Sequence, residues 1–186
     1  MRHEDIAAAL QRVESVLTRR PESGLHDDSE AKALWQGGLR VVASHTDGTQ
    51  VESDMPGEFG GTGDKVTPGW LFRAGTASCT ATSIALSAAR QGIALDALEV
   101  TVNSRSDARG ILALHDADGG LVPSRPLGMT MRVRVAAEGV APARLRAVVE
   151  DACRCSPIAD AVRHPVPLSV DIAVQGEARG EDAAAA

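Results

Sequence analysis

The first third of the chain passes from a helical pattern through a polar stretch to a strand pattern. Apolar residues recur every three or four positions over residues 4–18, which predicts an amphipathic helix. Residues 21–33 are polar and are predicted to form a linker. Residues 39–43 alternate between apolar and polar and predict a strand, and Asp47-Gly48 predicts a hairpin turn into a second strand over residues 49–53.

A long run of small residues follows a glycine-rich loop at residues 56–65. Thr67 and Pro68 are typical of a helix start, as N-cap and first-turn residue. No helix breaker occurs before Gly92, so the predicted helix spans residues 67–91. Because alanine, glycine, serine and threonine occupy most of its faces, we expect a central helix packed closely on several sides.

The second half of the chain alternates strand patterns with shorter helices. In chain order, the predicted elements are strands over residues 98–102 and 129–135, a helix that begins at Pro142 and is ended or kinked by Pro157, and a last strand over residues 166–174. Residues 111–114 extend the first of these strands or pair with it. This order lacks the regular alternation of a parallel doubly wound sheet and predicts an α+β fold.

Composition narrows the classes of function. The chain has 186 residues, 44% of them apolar, and a net charge of −6, which indicates one compact domain and argues against a general nucleic-acid binder. No apolar run approaches the ~20 residues of a membrane span, and the N-terminus lacks the apolar core of a secretory signal. Three cysteines do not resemble a secreted disulfide framework, so we expect a cytoplasmic protein.

Several familiar motifs are incomplete. The segment GGTGDK at residues 60–65 lacks the spacing of a phosphate loop, because valine follows Lys65. The five histidines lie far apart, and Cys153 and Cys155 are too close together for a zinc knuckle. We therefore expect neither a metal site nor a bound cofactor.

Cys79 lies in the segment TPGWLFRAGTASCTAT, residues 67–82. This segment resembles the signature helix of the OsmC/Ohr family, and the later segment Cys155-Ser156-Pro157-Ile158 resembles that family's second cysteine region. The order of elements also fits the family. The resemblance covers residues 37–175, so residues 1–36 are predicted to be an added helix and linker, and residues 176–186 a disordered tail.

The resemblance implies an OsmC-like fold, with antiparallel sheets packed around two central helices in an intertwined homodimer. Family members with complete motifs are thiol-dependent peroxidases that reduce organic hydroperoxides. By that resemblance Cys79 is the catalytic thiol that becomes a sulfenic acid, Cys155 condenses with it, and a dithiol reductant reopens the disulfide. The alternative is a non-catalytic relative that binds an apolar small molecule.

The groups that would ionise the first cysteine are incomplete when compared with the family pattern. A peroxidatic thiol must be ionised near neutral pH, against an ordinary pKa of ~8.5, and Cys79 is about three turns into its helix, too far for help from the helix dipole. The glutamate that the family places just after the proline is Gly69 here. Arg40 is the only basic residue in the strand region where the family has its arginine.

The second cysteine region also departs from the pattern. Aligned on Pro157, the second-cysteine position falls on Ser156, which is also in the middle of the apolar stripe of its helix. Cys153 and Cys155 fall on opposite flanks of that stripe. We interpret Cys153 as a hydrophobic residue at the edge of the core, and Cys155 as the better candidate for the second thiol.

Overall fold

A computed structural model describes residues 3–174 and gives this part of the chain four α-helices and five strands. In chain order they are α1 (His3–Arg19), β1 (Ala31–Trp35), β2 (Val41–His45), β3 (Gln50–Ser53), α2 (Pro68–Arg90), β4 (Ala97–Arg105), β5 (Gly128–Ala136), α3 (Pro142–Arg154) and α4 (Pro157–Arg163). The α+β prediction is confirmed. In the described range, no helix is both long and apolar enough to cross a bilayer.

The strands form two separate antiparallel sheets. The first has the order β1–β2–β3, and its β2–β3 hairpin turns at Gly48, whose φ of +92° suits a residue without a side chain. The second is a ladder of β4 and β5, in which Ala97 pairs with Ala136 at one end and Arg105 with Gly128 at the other. Along both of its strands, half-buried and exposed residues alternate, as the sequence pattern predicts.

The long helix α2 is the centre of the molecule. Its start is capped by Thr67, whose hydroxyl accepts a hydrogen bond from the Trp70 backbone N–H at 3.1 Å. Its end is marked by Gly92 at a φ of +67°. Helices α1, α3 and α4 and strand β4 all pack against α2, which confirms the prediction of a helix covered on several sides.

The hydrophobic core lies between the end of α2 and the apolar face of α3. Ala88 and Ile93 pack there against Leu145 and Val148, and each of these side chains is at most 9% exposed. The spacing of Leu145, Val148 and Ala152 places all three on one face of α3. This packing fixes how the end of α3 meets α2.

Two local predictions were wrong. Residues 31–33, assigned to the linker, belong to β1, whose residues are all exposed and which is held by backbone pairing with β2 rather than by a buried face. Residues 111–114 form turns instead of a strand, and only an isolated bridge joins His115 to Leu121. In both places the outcome depends on backbone pairing that a hydrophobic pattern does not encode.

The predicted last strand is not formed within the single chain. Residues 165–174 have no assigned secondary structure, although their apolar residues alternate. Leu168 and Ile172 are 87% and 76% exposed. An extended segment becomes a strand only when a neighbouring edge pairs with its backbone groups, and the described chain supplies no such edge here. The predicted disordered tail, residues 176–186, lies outside the described residues.

Candidate active site around Cys79

Cys79 is half-buried in the middle of α2, and its sulfur is in contact with the junction of α3 and α4. The hydroxyl of Ser156 donates a hydrogen bond to the Cys79 Sγ, with 3.4 Å between the oxygen and the sulfur. Ser156 is separated from Cys79 by 77 positions in sequence, so this contact is made only by the tertiary fold. The structure therefore brings together the two positions that the motifs identified, but the second is a serine.

The junction that carries Ser156 is built by the local sequence. Helix α3 ends at Arg154, Cys155 caps it, and Pro157 begins α4, for which Ser156 is the N-cap residue. The Ser156 carbonyl accepts the first backbone hydrogen bond of α4, from Asp160 at 2.8 Å. Ser156 is 0% exposed, as expected for a residue in the middle of the apolar stripe.

A second buried hydroxyl adjoins the first. The Thr80 Oγ1 lies 3.2 Å from the Ser156 Oγ, and Thr80 is also 0% exposed. A buried hydroxyl without a partner would carry a desolvation cost, and each of these two satisfies the other. Sequence reasoning missed Thr80, because a threonine inside a helix of small residues carries no signal of its tertiary neighbour.

Cys155 is exposed and faces a different space from Ser156. It lines a cavity of about 370 Å³ together with Leu10 of α1 and with Ser83 and Arg90 of α2. In the described chain no hydrogen bond joins Cys155 to Cys79. Ser83 is one helical turn beyond Cys79, so Cys155 lies near the reactive region without contacting the sulfur.

Cys153 is half-buried at the edge of the core. It lines an apolar cavity of about 310 Å³ whose other walls include Thr76, Val102, Met129 and Met131. Burial raises the pKa of the Cys153 thiol, and the nearby positive charge of Arg163 opposes this rise. A half-buried thiol with a raised pKa is less nucleophilic near neutral pH, which suits a packing residue better than a redox centre.

Arg40 is the only basic residue in the strand region where the family has its arginine, and its side chain is bound to the glycine-rich loop. Its Nη2 donates to Asp54 at 3.2 Å and to Thr62 at 2.7 Å, and it also forms an ion pair with Asp64. Among residues 3–174, no basic side chain forms a hydrogen bond with the Cys79 sulfur. In the single chain the guanidinium is therefore not positioned to activate the thiol.

Asp54 organises this loop, although no pattern in the sequence predicts this role. The carboxylate is 2% exposed and accepts hydrogen bonds from the Thr62 hydroxyl at 2.6 Å, the Thr62 N–H at 3.1 Å and the Met55 N–H at 2.7 Å. These donors, led by the Thr62 hydroxyl and joined by Arg40, lower the pKa of Asp54 to about 2 although burial acts in the opposite direction.

The glycine-rich loop closes tightly over Asp54. A side chain at Gly61 would place its Cβ 1.8 Å from the Met55 carbonyl oxygen, so only glycine fits there. The loop is thus a structural connection between β3 and α2 that is held together by a buried carboxylate. No group of three or more histidine, cysteine or acidic residues in the described range is arranged to hold a metal ion.

Comparisons with known proteins agree with this architecture. The model of the family described as OsmC-like protein matches residues 61–171, more than half of the chain. Among solved structures, the OsmC-like protein of Mycoplasma pneumoniae has a TM-score of 0.62 at 13% identity and covers 76% of this chain and 91% of its own. No curated protein sequence matches the chain.

Two similar structures are named as organic hydroperoxide resistance proteins. The one from Legionella pneumophila is 26% identical, has a TM-score of 0.54 and covers 75% of this chain and 92% of its own. The one from Elizabethkingia anophelis is 21% identical, has a TM-score of 0.55 and covers 76% of this chain and 91% of its own. Both similarities extend well beyond the segment around Cys79.

Proposed function

The chain belongs to the OsmC-like protein family, and we propose that it is a thiol-dependent peroxidase that reduces organic or hydrogen peroxides in stress defence. One observation carries the proposal: Cys79 is half-buried at the centre of the molecule with a buried hydroxyl donating to its sulfur. Such a donor favours the ionised sulfur, which is the reactive form of a cysteine. The name of the Legionella pneumophila structure adds support for the substrate class.

In the proposed reaction the Cys79 sulfur attacks the terminal oxygen of the hydroperoxide. A sulfur–oxygen bond forms, the oxygen–oxygen bond breaks, and the alkoxide leaves and takes up a proton to become an alcohol. The sulfur loses two electrons and becomes a sulfenic acid. A thiol then attacks this sulfur, a disulfide forms and water leaves, and a dithiol reductant returns the protein to its starting state.

The apolar surroundings of α2 support an organic substrate. The cavity of about 310 Å³ is lined by apolar side chains that include Val102, Met129 and Met131, together with Arg163, and Thr76 forms its wall on α2. Thr76 is three positions before Cys79, so the cavity opens against the same stretch of the helix. We infer that the alkyl chain of an organic hydroperoxide can pack against the apolar side chains of this space.

We propose Cys155 as the thiol that resolves the sulfenic acid. Its support is proximity: Cys155 adjoins Ser156 in sequence and shares a cavity with Ser83, one turn beyond Cys79. A disulfide needs the two Cα atoms within ~7 Å, so the α3–α4 junction must turn Cys155 toward α2 during the reaction. Cys153 and an external thiol are the alternatives.

Peptide mapping tests the choice of resolving thiol. After one equivalent of cumene hydroperoxide, a Cys79–Cys155 disulfide should appear, should be lost in Cys155→Ser and should persist in Cys153→Ser. Sulfenic or sulfinic acid remaining on Cys79 in the wild-type protein would show that Cys155 does not resolve it and would leave that step to an external thiol.

We also propose that the active form is an intertwined homodimer. Exposed apolar residues on the extended segment 165–174 and a sheet of only two strands, β4 and β5, support a second chain that covers both. The three unpaired cysteines support a reducing, cytoplasmic location.

A non-catalytic binding protein is the second candidate. Gly69 and Ser156 depart from the peroxidase motif, and an open cavity of about 620 Å³ lies between β5 and α3. Its apolar lining includes Val133, Leu145 and Val149. A binding protein of this kind would be stabilised against unfolding by an apolar ligand and would not consume peroxide.

Steady-state turnover separates the two candidates. With cumene hydroperoxide and a dithiol such as dihydrolipoamide, the wild-type protein should form alcohol catalytically, and Cys79→Ser should not. Equal rates for the wild type and Cys79→Ser would overturn the peroxidase proposal.

A further inference from the structure

A row of three side chains leads from the interior of the protein to the proposed reactive sulfur. Thr80 is 3.2 Å from Ser156 through their hydroxyl oxygens, and the Ser156 hydroxyl is 3.4 Å from the Cys79 sulfur. Thr80 and Ser156 are both 0% exposed. Water therefore cannot take the place of either hydroxyl without a change in the packing of α2 against α4.

The two hydroxyls can both donate in the same direction, toward the sulfur. An ionised sulfur can only accept, so Ser156 donates to it, and Thr80 in turn donates to Ser156. A hydrogen bond to a charged acceptor is about twice as strong as one between neutral groups, and the low local dielectric strengthens it further. In this arrangement both hydroxyls donate in the direction of the Cys79 sulfur.

We propose that Ser156, supported by Thr80, is the hydrogen-bond donor that stabilises the ionised Cys79 sulfur. This inference rests on the proposed role of Cys79 and deepens it. A serine cannot form a disulfide, so Ser156 acts before the oxygen–oxygen bond breaks, and another thiol acts afterwards. Thr80 is a positioning residue, because its hydroxyl bonds to Ser156 rather than to the sulfur.

Several other charged groups near α2 have partners of their own. On the elements packed against α2, and on α2 itself, such ion pairs include Glu14–Arg90, Glu99–Arg134, Asp151–Arg154 and Asp160–Arg163. Arg73 of α2 donates to the Ser104 hydroxyl of β4 at 3.2 Å. None of these groups forms a hydrogen bond or an ion pair with the Cys79 side chain, so the Ser156 hydroxyl is the donor available within the described chain.

The pH dependence of Cys79 alkylation tests the proposal without requiring peroxidase activity. Iodoacetamide labelling of the Cys79 peptide, followed by mass spectrometry, should reach half of its maximal rate at a pH about one unit higher in Ser156→Ala than in the wild type. Ser83→Ala is the matched control, because the Ser83 hydroxyl donates to the Cys79 carbonyl oxygen at 3.0 Å rather than to the sulfur. An unchanged profile in folded Ser156→Ala would overturn the proposal.

If Ser156→Ala does not fold, a pair of variants at Thr80 tests the same donor role. Thr80→Val removes the hydroxyl at nearly constant volume and should shift the profile in the same direction, whereas Thr80→Ser keeps the hydroxyl and should not. Identical profiles for the two would overturn the proposal. Because alkylation reports only on the ionised sulfur, a shifted profile without peroxide turnover would refute the proposed function and leave the donor role standing.

The exchange Ser156→Cys gives an independent readout of the geometry. The introduced thiol would replace an oxygen 3.4 Å from the Cys79 sulfur. Mild oxidation should therefore join the two within one chain, as seen by a disulfide-linked peptide pair that separates on reduction. Failure to form this disulfide in the folded variant would contradict the contact on which the inference depends.

Discussion

Among single residues outside the active site, Asp54 is the one whose replacement should lower the stability of the protein most. Its carboxylate accepts from Thr62, Met55 and Arg40, and an amide in its place would point an N–H group at one of these donors. We expect Asp54→Asn to lower the melting temperature by several degrees. Asp107→Asn is the control, because its partner Arg109 is only two residues away and a local contact is more easily replaced.

The same carboxylate should make stability depend on acid pH. The pKa of Asp54 is lowered from 3.8 to about 2, so its contribution to stability is complete above the ordinary carboxyl pKa and is lost as the pH falls through about 2. Between pH 4 and pH 2, chemical denaturation should show a steeper loss of stability for the wild type than for Asp54→Asn. Parallel curves would show that the carboxylate is not preferentially stabilised in the folded state.

Gly61 offers a sharp steric test of the glycine-rich loop. A Cβ at this position meets backbone at 1.8 Å, whereas a Cβ at Gly57 in the same loop meets nothing within 4 Å. Gly61→Ala should destabilise the protein by about 1–3 kcal/mol, the usual cost of overpacking, and Gly57→Ala should be nearly neutral. Equal denaturation midpoints for the two variants would contradict the loop conformation.

The residue-scale contacts show where prediction from sequence ends. The burial of Ser156 follows from its position on the apolar stripe, because a helical repeat projects directly onto one face. Its contact with Cys79, 77 positions away, does not follow, since it depends on how two helices cross. The partners of Arg40 could not be predicted either, because Asp54 and Asp64 carry no pattern that links them to an arginine just before β2.

At the scale of elements, α1 provides the clearest prediction. Leu10 of this helix lines the cavity that holds Cys155, and Glu14 forms an ion pair with Arg90 at 3.1 Å. An isolated helix of this length is marginal in water, so its contacts with α2 hold it in place. Deletion of residues 1–20 should lower the melting temperature and speed alkylation of Cys155. No change in either would indicate that α1 serves an external partner.

The elements that sequence predicted well are those with a complete local signal. Helix α2 has a cap, a proline at its start and a glycine after its end, and β5 alternates over its whole length. Strand β1 was not predicted but is formed, whereas the segment 165–174 was predicted as a strand but is not formed in the single chain. Both errors arise because a strand depends on a partner edge as much as on its own residues. Patterns within one chain do not reveal that edge.

At the scale of the whole molecule, the exposed apolar segment 165–174 predicts association. Val170 and Ile172 are 75% and 76% exposed on the single chain. Sedimentation should give a dimer at micromolar concentration, and Val170→Lys combined with Ile172→Lys should weaken it. Asp171→Asn is the control on the same segment and should leave the dimer intact. A stable wild-type monomer would refute the intertwined assembly.

The proposed reaction of Cys79 with hydroperoxides can be measured in a single turnover. Reduced protein is mixed rapidly with cumene hydroperoxide, and the remaining peroxide is measured after quenching at successive times. We expect consumption of at least one equivalent per chain, at a rate proportional to peroxide concentration, with loss of this phase in Cys79→Ser. An undiminished phase in Cys79→Ser, or no consumption by the wild type, would contradict it.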